Sequence, residues 1–303
     1  MKFSVASRAR GFTLVEAIVV MVLTAVLAGM MVVFIRKPVQ SYADAANRAE
    51  LTDVAEVALR RMAREIHGAV PNSIRLTIVG GATFLEFIPS KAGARYLAED
   101  DGAISTAQDP HPPLSFTDPT ARQFEVVGPM PPAPYAIAVN DIIILNNFGT
   151  GFADADAYAQ NANNRAVVTA LNGKFITLAA NPFAGHVNPL PGKRFIVAGS
   201  PVTFACVSDA TTGRQRLVRY SEYDFQANQV DPATVVLPSP RQVKMTLMAS
   251  NVSGCNFTAT PLANRQTALV GLAIALVRVK PGAAANDLET LTLAQQIHVD
   301  NTP

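Results

Sequence analysis

The sequence predicts an α+β protein in which one long N-terminal helix packs on an antiparallel β-sheet head. Three observations predict it. Residues 12 to 35 form an apolar run with a single charge, Glu16. Residues 41 to 68 repeat apolar side chains at three- and four-residue steps, the period of a helix with one buried face. From residue 71 onward come short β-like runs separated by turn residues. With 49% hydrophobic and 16% charged residues over 303 positions, the chain is too apolar to be disordered.

The apolar run comes first. Its 24 residues span about 36 Å as a helix, enough to cross a hydrocarbon core of about 30 Å with some tilt. Lys2, Arg8 and Arg10 precede it, and Arg36 and Lys37 follow. A short basic start stays cytoplasmic, which places the chain beyond residue 37 on the other side of the membrane. A secretory signal has an apolar stretch of about 7 to 15 residues, with its cleavage site after it. This run is longer. An ordinary signal anchor has no use for a carboxylate at such depth, which costs about 2.5 to 3.5 kcal/mol on insertion scales.

Gly11 followed by Phe12-Thr13-Leu14-Val15-Glu16 resembles the processing site of type IV prepilins and pseudopilins. The resemblance implies that a prepilin peptidase cuts after Gly11 and that Phe12, the new N terminus, is N-methylated. Cleavage before the apolar run leaves the helix on the mature protein. It also implies a type IV pilin-like fold and a role for Glu16 in subunit assembly, pairing with the N-terminal ammonium of a neighbouring subunit. A buried charge is tolerated where a specific partner neutralises it. The implied partners are other major and minor pilins, the prepilin peptidase and an inner-membrane assembly platform. The implied location is the inner membrane, with the head periplasmic, and then a pilus or pseudopilus.

The helical pattern resumes after Pro38. Leu51, Val54, Ala55, Ala58, Met62 and Ile66 make the apolar stripe, while Asp44/Arg48 and Glu56/Arg60 are acid-before-base pairs four apart. Gly68 and Pro71 supply the stop. The expected organisation is a leader over 1–11, a transmembrane half-helix over 12–37, an amphipathic half-helix over 38–70 and a β-rich head over 71–303.

In the head, "NSIRLTIVGGATFLEFIP" reads as two strands around a Gly80-Gly81 turn, and Asn172-Gly173 marks a second hairpin. Further strands are expected in "DIIILNNF", "KRFIVAGSPVTFACV", "RQRLVRYSEYDF", "RQVKMTLMASNV", "TALVGLAIALVRV" and "ETLTLAQQIHVDN". The proline-rich stretch 108–134 reads as irregular loop. About 230 residues of this kind build one antiparallel-sheet domain or two sublobes. The helix "AELTDVAEVALRRMAREIHGAVPNSIRL", with "GKRFIVAGSPVTFACV", "RLVRYSEYDF", "NVSGC" and "QQIHVDNTP", resembles minor pilin-like biogenesis proteins of the mannose-sensitive haemagglutinin (MSHA) pilus. The J-type minor pseudopilins of type II secretion are the rival resemblance.

Cys206 and Cys255 are the only cysteines, and both fall in the part expected outside the cytoplasm. In an oxidising periplasm an even pair reads as one disulfide, with two buried free thiols as the alternative. The formal net charge is +2; without the leader's three basic residues the remainder is near −1, so nothing suggests nucleic acid. His67, His111, His186 and His298 are scattered, and no zinc, P-loop, dinucleotide or nucleophile-elbow motif occurs. No cofactor or metal is therefore expected, and no enzyme. Asp154, Asp156 and Asn161 lie close together but lack the glycine and terminal glutamate of an EF-hand loop, and read as a solvated loop. The classes left are a pilus assembly protein, a secretion pseudopilin, and a membrane-anchored adhesin.

Overall fold

The computed structural model describes residues 11–185, 192–261, 267–280 and 287–302. Lys2, Arg8, Arg10 and His186 lie outside them. The chain divides into two units, Met1–Leu51 with Val279–Glu289, and Thr52–Arg278 with Thr290–Pro303.

One helix, α1 (Leu14–His67), runs unbroken with Pro38 inside it. In the first unit its residues 14 to 32 bury nothing. Arg48 pairs there with Glu289, and Lys280 Nζ with Asp287 Oδ1 at 2.6 Å. In the second unit α1 buries one face, made by Ala55, Ala58, Leu59, Met62, Ala63 and Ile66. Val54, expected in that stripe, is 38% exposed, whereas Leu59 and Ala63 are buried. Residues 55, 59, 62, 63 and 66 follow one face at 3.6 residues per turn, and position 54 lies to its side. Glu56 pairs with Arg60 on the exposed surface. Gly68 donates to the Glu65 carbonyl at 3.2 Å, and the helix stops.

Two strands follow, β1 (Arg75–Val79) and β2 (Ala82–Phe87). Gly80 and Gly81 between them have φ of 58° and 81°, the left-handed pair that a two-residue hairpin twisting with its strands requires. The chain then leaves the sheet for β3 (Ser90–Tyr96), β4 (Gln123–Val127), β5 (Ile142–Ile144), β6 (Arg165–Asn172), β7 (Phe175–Leu178) and β8 (Arg194–Ala198). These close into a barrel in the order β3-β4-β7-β6-β5-β8. Tyr96, Phe124, Val126, Ile143, Val168, Ile176, Phe195 and Val197 fill it. The head thus contains a closed barrel beside its sheet. The β6–β7 turn is Gly173-Lys174, since Asn172 already pairs with Phe175.

The proline-rich stretch is not wholly irregular, as its sequence suggested. It contains β4, whose Phe124 and Val126 are buried while its prolines flank the strand. Strand β3, "SKAGARY", gave no apolar alternation because small residues occupy it; backbone pairing to β8 holds it.

The chain returns through β9 (Val202–Asp209), β10 (Arg214–Ser221), β11 (Lys244–Pro261), β12 (Thr267–Val279) and β13 (Leu288–Asp300). The sheet order is β1-β2-β9-β10-β11-β12-β13. Cross-strand partners share a face, so Leu85, Phe204 and Arg219 look the same way. Arg219 Nε reaches Glu65 Oε2 of α1 at 2.7 Å, which identifies that face as the one the helix covers. Phe84, Ala205, Val218 and Tyr220 line the opposite face, beneath Tyr223, Val235 and Leu237.

Candidate processing and assembly site

Gly11, Phe12 and Thr13 lie ahead of α1. Thr13 starts the helix: its carbonyl accepts the Ala17 N–H at 3.1 Å, and its Oγ1 accepts the Glu16 N–H at 3.3 Å. This is the N-cap arrangement, with Glu16 at the third helical position of a Thr-x-x-Glu capping-box sequence. Phe12 is 73% exposed, and a Cβ added at Gly11 would meet nothing within 4 Å. Glu16 is exposed in the single chain, amid Val15, Ile18, Val19 and Val20, which are exposed too. Thr24, the other polar residue of the run, donates to the Val20 carbonyl at 2.7 Å and needs no partner beyond its own helix. Leu14–Val32 is long and apolar enough to cross a membrane. A helical segment this apolar and this exposed suits an apolar medium or other helices around it.

The two cysteines are bonded, Cys206 on β9 to Cys255 on β11, with Cα atoms 6.2 Å apart. Strand β10 lies between those strands in the sheet, so β11 must bend to allow the bond. It pairs with β10 only as far as Val252, and a bulge between Val252 and Gly254 carries it onward against β12. Asn251, at φ 55°, helps turn it.

Two buried polar clusters escaped the sequence reading. In the first, Glu86, 1% exposed, accepts from Arg75 Nε at 2.7 Å and from the Tyr223 hydroxyl at 3.0 Å. Arg75 also donates to the Gln226 and Ala227 carbonyls and lies 3.7 Å over the Tyr158 ring. Burial raises the Glu86 carboxyl above its ordinary value, with Arg75 opposing. A signal existed: Arg75 and Glu86 are equidistant from Gly80-Gly81, so a two-residue turn sets them opposite one another. In the second cluster, Asn72 donates to the carbonyls of Asn147 and Asn301, and Asn147 donates to that of Pro71. Those contacts tie the helix exit to the barrel side and to the end of β13. Gly149, at φ 99°, is required there, because a Cβ would lie 2.9 Å from the Asn72 carbonyl oxygen. No sequence pattern marks these asparagines.

Asp156 accepts from the Gly151 and Tyr158 N–H groups and Asp154 from the Asn163 amide, so this loop uses its carboxylates to hold its own shape. Among the described residues no three His, Cys, Asp or Glu side chains converge as a metal site.

The family model of the prokaryotic N-terminal methylation motif matches residues 6–32. No curated protein and no solved structure matches the chain. The chain carries a type IV prepilin-like N terminus on an α+β, type IV pilin-like fold, an apolar helix followed by a large antiparallel β head. These features support a pilin-like or pseudopilin protein.

Proposed function

We propose that this chain is a non-enzymatic minor pilin that takes part in assembling a type IV pilus of the MSHA type, and that it resembles MshO. In this reading prepilin peptidase removes residues 1–11 at the cytoplasmic face, and Phe12 becomes the N-methylated N terminus. The remaining segments are the transmembrane 12–37, the amphipathic 38–70 and the periplasmic head 71–303. Glu16 then docks the subunit on the ammonium of a neighbouring pilin. The observation that carries the reading is the methylation motif running straight into an apolar helical segment, Leu14–Val32, that is not buried in the chain. The exposed Glu16 gives that helix one charge for which another subunit supplies the counter-charge.

The test is mass spectrometry of the membrane-extracted chain. It should begin at N-methyl-Phe12, and a bulky residue in place of Gly11 should leave the basic leader attached. An intact Met1 start in cells with active peptidase sinks the reading. Cross-linking the mature subunit in its native membrane distinguishes the machine it serves. Capture of type II secretion pseudopilins in place of pilus subunits would move it to the J-type pseudopilins.

A further inference from the structure

Resting on that processing reading, we propose that Thr13 is the positioning residue that holds the scissile Gly11–Phe12 peptide outside α1, where a peptidase can cleave it. Hydrolysis of that peptide by water leaves a carboxylate on Gly11 and the ammonium on Phe12. Proteolysis acts on exposed, non-helical backbone. The chain must therefore stop its helix just after the bond, although the segment beyond is helical for 54 residues.

The Glu16 N–H decides where the helix stops, because it has two competing acceptors. In a helix extended by one turn it would bond the Phe12 carbonyl, and the Val15 N–H would bond that of Gly11. That turn would wind the scissile peptide into the helix. Thr13 Oγ1 takes the Glu16 N–H instead, at 3.3 Å, and the first backbone bond of α1 is Ala17 to Thr13. Ser, Thr, Asn and Asp side chains start helices by this competition. It is sharper at a membrane, where a backbone donor left without an acceptor is costly. The released residues have the required access, since Phe12 is largely exposed and Gly11 is uncrowded.

The experiment uses the full-length precursor in membrane vesicles containing prepilin peptidase, with leader removal timed by mass spectrometry at matched precursor levels. Thr13→Ser and Thr13→Asn keep a capping acceptor and should be cleaved at the wild-type rate. Thr13→Val keeps the shape without the hydroxyl; it and Thr13→Ala should be cleaved about 2- to 30-fold more slowly, the change in equilibrium expected for a lost cap. A Val variant as fast as wild type overturns the inference. So do Ser and Asn variants as slow as Val, because the enzyme would then be reading side-chain shape. Failure of the wild-type chain to lose its leader is a different result: it removes the processing reading itself.

Discussion

The bare helix over residues 14–32 and the strand junction around Glu86 each set a carboxylate among apolar side chains. At the junction the chain supplies everything: Arg75 from the facing strand, the Tyr223 hydroxyl, and burial to 1% exposure. On the helix, Glu16 is exposed and its apolar neighbours are bare. The same chemical problem, a carboxylate among apolar side chains, is solved inside the fold at Glu86, and for Glu16 we propose that a neighbouring subunit solves it. A charge paired within the chain serves folding, and on the proposed reading a charge presented at the surface of the apolar run serves assembly.

The largest effect should come from removing Glu16. Glu16→Ala makes the run more apolar, so insertion, cleavage and folding of the head should be unchanged. Incorporation should fail, because truncating one member of a buried pair costs about 3 to 5 kcal/mol, a hundredfold or more in a docking equilibrium. Co-purification with pilus partners, at matched membrane level, measures it. Normal assembly by the variant would show that Glu16 is not the docking charge.

Removing Arg75 should do the reverse, leaving insertion and cleavage intact while weakening the head. Arg75→Met strands Glu86 and should cost about 3 to 5 kcal/mol near neutral pH, and Arg75→Met/Glu86→Leu should recover much of that. The pH dependence has a definite sign. Burial already holds the Glu86 carboxyl above its ordinary value of 4.5, and loss of Arg75 removes the main opposition. A raised carboxyl favours the fold below its unfolded value and loses that contribution as pH rises through the folded one. The single variant should therefore be least damaged below pH 4.5 and increasingly damaged above it. Unfolding midpoints of the detergent-solubilised chain across that range decide this, and a pH-independent loss would count against the pair.

The smallest difference contrasts the two parts of α1. Met62 is fully buried, and Met62→Ala should destabilise the head by about 2 to 5 kcal/mol. Leu23 is 56% exposed, and Leu23→Ala should leave head unfolding within about 0.5 kcal/mol of wild type. A comparable loss from Leu23→Ala, read by the same unfolding assay, would mean that the apolar run is part of the head's core.

Much was legible in local pattern. The apolar run, the Gly80-Gly81 turn and most strands are short-range features, set by side-chain period and backbone freedom. Others were not. Strand β4 was hidden because proline density around Phe124 and Val126 argued for loop, yet the prolines only flank it. Val54 was misplaced because three- and four-residue steps describe several overlapping stripes, and packing selects one of them.

The sequence by itself determined that a long apolar helix with a carboxylate near its start precedes a β-rich head, because composition and short spacing settle those properties without reference to distant residues. Only the tertiary structure decided that β3–β8 close into a separate barrel inserted between β2 and β9. It alone bends β11 past β10 until Cys255 meets Cys206, and joins Asn72, Asn147 and Asn301 from three distant segments. Those features depend on pairings across dozens to hundreds of residues, whose free energy appears only once the whole sheet and barrel have formed around them.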